Sequence, residues 1–222
     1  MRRRVGLACL AALLLLACSD GRRFDQAICV LVDVSGTYAD QKTDVVRLVK
    51  RDVLPALVPG DSLLVIRIDG QSYEKANLEA LLTLDARPSQ ANAQKLAFAK
   101  RLDTFAADRA VATHTDIRGA MMLGAEYLKE LGSGSRVMLI FSDLEEDLPG
   151  GVRRELDPTE FESVDVMAVN VKRLHADGMD PSVFRQRLSA WQERVAASSA
   201  RGWTTLHDET RLADLLAEAR ES

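Results

Sequence analysis

The stretch AICVLVDVSGTYAD, Ala27 to Asp40, decides how this chain is read. Ile28 to Val32 are five consecutive apolar residues, the pattern of a strand buried on both faces. The strand ends on a carboxylate, Asp33, followed by hydroxyls at alternate positions, Ser35 and Thr37, around Gly36. A single aspartate at a strand end most simply caps a turn, and Ser and Thr there most simply serve as turn or N-cap residues. An acid and two alcohols delivered together to one loop ask for a further reason, which the rest of the chain has to supply.

Outward from that stretch, strands and helices alternate. Apolar runs predict strands over 27–33, 62–69, 135–143 and 163–171, a short last strand over 203–208, and a third strand over 77–85 that pairs with the second. Helical spacing of Val46, Val49 and Val53 predicts a helix over 41–55 that ends near Pro55. A second helix opens at Pro88 and runs to about 109, with Leu96, Ala99 and Leu102 on one side. A third begins near Asp116, carries Ile117, Met121, Ala125 and Leu128 in one stripe, and stops at Gly132-Ser133-Gly134. Further helices cover 181–200 and the C-terminal segment bearing Leu212, Leu215, Leu216 and Ala219. This order predicts one α/β domain: a Rossmann-like, open, mostly parallel twisted sheet of about six strands, one of them an antiparallel edge strand, with helices on both faces. Aromatics make up only 5% of the chain, so Leu, Val, Ile and Ala must fill its core.

The first residues read differently. Arg2, Arg3 and Arg4 precede an apolar run, Val5 to Ala17, that is too short to span a bilayer with ordinary flanks, the layout of an export signal. Leu15-Leu16-Ala17-Cys18 resembles the lipobox of bacterial lipoproteins, which implies cleavage after residue 17 and lipid on Cys18. The expected organisation is therefore a signal over 1–17, a tether over 18–25 and a domain over 26–222, anchored to a membrane through Cys18 with the domain in the periplasm. Removing Arg2, Arg3 and Arg4 leaves 26 basic against 33 acidic side chains, net −7. That balance gives no reason to expect a nucleic-acid partner. Cys29 is then the one cysteine inside the domain, where it packs as a small hydrophobe.

In open sheets of this class ligands gather at the carboxyl ends of the strands. Asp33 and Asp143 both lie at such ends, and Thr115 stands immediately before the third helix. Asp33-Val34-Ser35-Gly36-Thr37, the distant Thr115 in THTDI and the distant Asp143 in IFSD resemble the von Willebrand factor type A domain, whose metal-ion-dependent adhesion site combines D-x-S-x-S with a later threonine and aspartate. The resemblance implies that Asp33, Ser35, Thr37, Thr115 and Asp143 hold Mg2+, with Mn2+ or Ca2+ as alternatives. It also implies that a protein partner offers an Asp or Glu carboxylate to the ion. Magnesium suits such a set of hard oxygen donors, and hydroxyls bind it without adding charge. Gly36 is expected to let the loop fold back and present both hydroxyls.

Two positions depart from the family pattern: Leu144 replaces the glycine that commonly follows the second aspartate, and Thr113 and His114 replace small residues before the threonine. Glu145, Glu146 and Asp147 read as a solvated acidic face. His114, His175 and His207 show no zinc-ligand spacing, and Trp191 and Trp203 read as packing residues. Two readings stand beside metal-dependent adhesion. One is a magnesium-dependent phosphohydrolase of the haloacid dehalogenase type, which also places an aspartate after its first strand; Ser35 stands where its general acid belongs. The other is a metal-free scaffold of the same fold.

Overall fold

A computed structural model describes residues 24–222. The signal over 1–17, Cys18 and most of the tether lie outside the described residues. The strands are β1 (Gln26–Asp33), β2 (Ser62–Ile68), β3 (Leu78–Thr83), β4 (Ser135–Phe141), β5 (Asp165–Val169) and β6 (Gly202–Leu206). They form one sheet in the order β3-β2-β1-β4-β5-β6. Every pairing is parallel except that of β2 with the edge strand β3. The predicted class, strand number and antiparallel edge are all observed.

Helix α1 (Lys42–Leu48) runs on through a π-helical turn (Val49–Val53) into a last turn (Leu54–Ala56). It is followed by α2 (Pro88–Ala107), α3 (Ile117–Leu131), α4 (His175–Met179), α5 (Pro181–Ala197) and α6 (Leu212–Glu221). The short α4 has no counterpart in the periodicity, because one turn and a half is too brief to show a repeat. Among the described residues no helix is long and apolar enough to cross a membrane.

All eight residues of β1 are buried, and their side chains alternate between two cores. Ile28, Val30 and Val32 point into a core shared with α1, α2 and α6. Ala27, Cys29 and Leu31 point into one shared with α3 and α5. On the second side α3 comes so close that a Cβ on Gly124 would lie 2.8 Å from the Cys29 sulfur. Burial also pushes the Cys29 thiol far above its ordinary range, so it stays protonated as packing. Helix α2 turns out rotated from its expected setting. Ala91, Phe98, Leu102 and Phe105 face the core while Leu96 is 69% exposed. The two phenylalanines bury more apolar area than Leu96 would, and they set the rotation.

The amino-terminal ends of the strands are closed by one buried carboxylate. Asp61 has no solvent contact and accepts from the amides of Gln26 and Val58. Arg220 at the end of α6 forks onto both of its oxygens at 2.9 and 2.6 Å. Gln26 Nε2 donates to the Leu216 carbonyl and Ser135 Oγ to that of Ala219, so the last helix is tied to β1 and β4 as well. Removing one partner of a buried, hydrogen-bonded ion pair leaves the other uncompensated, at a cost of about 3–5 kcal/mol. Asp61→Ala is therefore expected to destabilise the domain by about that amount, read from urea unfolding midpoints against the wild type.

Candidate functional site

The carboxyl ends of β1 and β4 form the topological switch point of the sheet. From β1 the chain turns back through α1 to β2 on one side, whereas β4 leads towards β5 on the other. A crevice opens where such paths diverge. The register sets Val32 opposite Phe141 and Asp33 opposite Ile68, so Asp33 and Asp143 leave adjacent strands at nearly the same height.

Four backbone straps gather the loops around them. Val34 donates to the Ile68 carbonyl at 3.2 Å, and Ala112 donates to Val34 at 2.9 Å beside a bridge between Ser35 and Ala112. Asp116 donates to Asp69 at 2.6 Å, and Thr115 and Asp147 exchange amide bonds at 2.8 and 3.0 Å. Asp116 is the N-cap of α3: its carboxylate accepts from Gly119 N at 2.8 Å and pairs with Arg154. Capping by Asp116 leaves the neighbouring Thr115 hydroxyl to another role. A Cβ on Gly119 would come within 2.3 Å of that carboxylate, so the cap requires glycine there.

Ser35, Thr37, Thr115 and Asp143 line one cavity of about 610 Å3, together with Val111, Ala112, Thr113, Glu145, Asp147 and Leu174. Asp33 is fully buried and does not line it. One of its oxygens accepts from Ser35 N at 2.8 Å and the other from Ser142 Oγ at 2.6 Å. Ser35 Oγ and Thr37 Oγ1 are 3.3 Å apart. Asp143 is 1% exposed; its Oδ1 accepts from Glu145 N at 2.9 Å, and its Oδ2 has no hydrogen-bond partner. Four of the five expected residues thus meet around one space, with the fifth fixed beside them.

Burial raises the Asp33 carboxyl above its ordinary value, with the nearby Asp143 adding to the effect, against the lowering by Ser142 and Ser35. Burial and the charges of Asp33, Asp143 and Asp40 push the phenol of Tyr38 up in the same way. Two carboxylates shielded from water therefore act on the same neighbourhood, and one of them holds a buried oxygen without a donor. A buried oxygen of that kind calls for an explanation, and a cation is one. Two carboxylates and three hydroxyls are donors of the hard kind that Mg2+ takes. Among the described residues no group of three or more His, Cys, Asp and Glu side chains is arranged to hold a metal ion. Any ion held here would accordingly rest on hydroxyl as much as on carboxylate oxygen.

Several residues differ from the sequence reading. Gly36 is not in a left-handed conformation, and an added Cβ would meet only Val111 at 4.0 Å, so the fold-back does not depend on glycine. The acidic run 145–147 is not a uniformly solvated face. Glu146 is held by Arg118 through its side chain at 2.7 Å and its amide at 2.9 Å. Asp147 meets His114 at 2.8 Å, and Glu145 alone is loosely held, 3.4 Å from Arg187. Three contributors escaped the sequence reading. Ser142 precedes Asp143 in the quoted IFSD and was visible as a hydroxyl at a strand end. Tyr38 follows Thr37 and read as loop. Lys172 donates to the Thr37 carbonyl and to Asp40, 2.5 and 2.7 Å away, and no sequence signal marks a contact with a backbone oxygen 135 residues distant.

The six-stranded sheet, parallel but for its edge strand and covered by helices, is the fold that the von Willebrand factor type A resemblance implies. A minor pilin of Streptococcus sanguinis, PilB in a D319A mutant form, is similar at TM-score 0.53 and 6% identity, over 91% of this chain and 62% of that one. The pilus adhesin SpaC of Lactobacillus rhamnosus GG is similar at TM-score 0.52 and 12% identity, over 89% of this chain and 30% of that one. A von Willebrand factor type A protein of Catenulispora acidiphila reaches TM-score 0.48 and 15% identity over 88% of this chain. This chain spans 42% of that last protein's length and under a third of SpaC. No family profile matches the sequence. No curated protein matches it significantly.

A carboxyl whose pKa is higher folded than unfolded adds stability below its unfolded value and loses it as pH rises through the folded one. In chelator, the wild type is therefore expected to lose stability relative to Asp33→Asn as pH is raised above the ordinary carboxylate value of 3.8. Urea midpoints of both proteins across the pH range check this; parallel curves contradict it.

Proposed function

We propose that this chain is a non-enzymatic binding module held at the bacterial envelope, which takes up a divalent cation at the β1/β4 crevice and uses it to engage a partner protein. The observation that carries the reading is the convergence of Ser35, Thr37, Thr115 and Asp143 on one cavity at the switch point, with Asp143 Oδ2 buried and unpartnered. Asp33 stands behind them as a second negative charge. Mg2+ is the ion the donor set favours, with Mn2+ or Ca2+ as substitutes. A bound ion would supply positive charge at the cavity floor, which is what a partner's Asp or Glu carboxylate requires.

The protein's own residues do the rest. Ser142 and the Ser35 amide hold Asp33 in place, the Thr115–Asp147 bridge sets the threonine, and Lys172 ties down the loop that bears Thr37. A phosphohydrolase would need a proton donor where Ser35 stands, and a serine hydroxyl is a poor general acid at neutral pH. The binding reading needs no such donor.

Anchoring through Cys18 is part of the proposal and rests on the Leu15-Leu16-Ala17-Cys18 sequence. Phe24 enters β1 at the end of the sheet opposite the cavity. Labelling with palmitate in a bacterial host is expected to mark the wild type and not Cys18→Ala; equal labelling of both contradicts the anchor.

A ligand that binds only the folded state stabilises it by about 2.7 kcal/mol at one hundred times its Kd. Mg2+ or Mn2+ is expected to raise the thermal midpoint of the wild type in that manner, while Asp33→Ala and Asp143→Ala remain folded and show no shift. Equal shifts in all three proteins, or none in the wild type, overturn the assignment.

A further inference from the structure

Leu144 is the residue that departs from the glycine expected after the second aspartate, and the structure shows what the departure entails. Its φ is +61°, a left-handed conformation that glycine adopts freely and a leucine does not. The conformation is not incidental to the site. It turns the chain so that Glu145 N returns to Asp143 Oδ1 at 2.9 Å, which leaves Oδ2 as the atom without a partner. Just before the turn, Leu144 N donates to Ser142 Oγ at 3.0 Å, and that hydroxyl donates to Asp33 Oδ2 at 2.6 Å. One strained residue therefore orients the Asp143 carboxylate of the candidate site.

Something must hold a non-glycine residue there. Leu144 is 1% exposed, with its side chain in the core that contains α3 and α5. Its carbonyl accepts from Trp191 Nε1 at 2.8 Å, a contact that spans 47 residues. Trp191 is itself 2% exposed, midway along α5, with the Arg194 guanidinium over its ring at 4.5 Å. Arg187, one turn earlier on the same helix, reaches Glu145.

We propose that Trp191 is a positioning residue for the metal site: its indole N–H clasps the Leu144 carbonyl and holds the left-handed turn that aims Asp143 into the cavity. The proposal rests on the cation-binding reading above. In this chain a tryptophan–leucine clasp does what a glycine would do without help. Trp191 touches neither ion nor partner; it acts through the turn.

The test is a double-mutant cycle on the full chain, with Mg2+ binding followed by calorimetry and the fold by circular dichroism. Loss of such an outer hydrogen bond is expected to weaken metal binding about tenfold in Trp191→Phe, which keeps most of the packing. Adding Leu144→Gly to Trp191→Phe should restore affinity to within about twofold of the wild type, because glycine adopts the turn without the strain that leucine carries. Wild-type affinity in Trp191→Phe overturns the proposal, as does a double variant no better than Trp191→Phe. A wild type that binds neither Mg2+ nor Mn2+ sinks the site reading instead, and urea unfolding of the same four chains then decides the clasp. A Leu144→Gly substitution that costs stability in the wild type but little in the Trp191→Phe background supports it. Equal costs in both backgrounds overturn it.

Discussion

The parallel pairing of β1 with β4 is the constraint on which the remaining architecture turns. A strand buried on both faces has no freedom to slip, because a shift of one residue would exchange the side chains of its two cores. With Val32 held opposite Phe141, the aspartates that follow each strand have one place to go, the crevice above the sheet. Both side chains are buried, so each carboxylate depends on specific donors. Asp33 finds them in Ser35 N and Ser142 Oγ, while Asp143 finds one for Oδ1 and none for Oδ2. That asymmetry gives the site its chemical direction.

The two ends of the sheet treat buried acids in opposite ways. At the amino-terminal end Asp61 receives two backbone amides and a forked arginine, and its charge is neutralised within the protein. Asp116, at the edge of the site, is likewise satisfied by Gly119, Ser72 and Arg154. Asp33 and Asp143 have no such cation of their own among their hydrogen-bond partners. The other buried acids are paired with cations of the protein, whereas these two are left to hydroxyls and amides, and that contrast supports the cation-binding proposal.

The loops tell a related story about economy of contact. Segment 112–116 is held, besides the side chains of His114 and Asp116, by amides reaching Val34, Asp69 and Asp147, three separate pieces of chain. Thr115 is thus positioned by backbone geometry, and its identity is free to serve the site. The turn at Leu144 is the reverse case, in which side chains from α5 hold a backbone conformation that the residue itself resists.

Much of the fold was legible in the residues. The unbroken apolar runs of β1 and β4 declared a doubly covered parallel sheet, and D-x-S-x-T with Thr115 and Asp143 declared the candidate donors, because oxygen chemistry at strand ends is a local property. Long-range facts were not legible. Leu96 faces out although its spacing suited a buried stripe, since two phenylalanines elsewhere on α2 bury more area. Glu146 looked solvated because its partner, Arg118, lies about thirty residues away on α3, whereas Glu145 and Asp147 are exposed as read. Gly36 seemed needed for a turn that any residue can make. Residue type and spacing determined which groups exist and on which strand end they stand. Only the packed chain decided which of them share a cavity, which are already neutralised, and that an indole on α5 holds the turn beside Asp143, for such contacts depend on distances that sequence order does not encode.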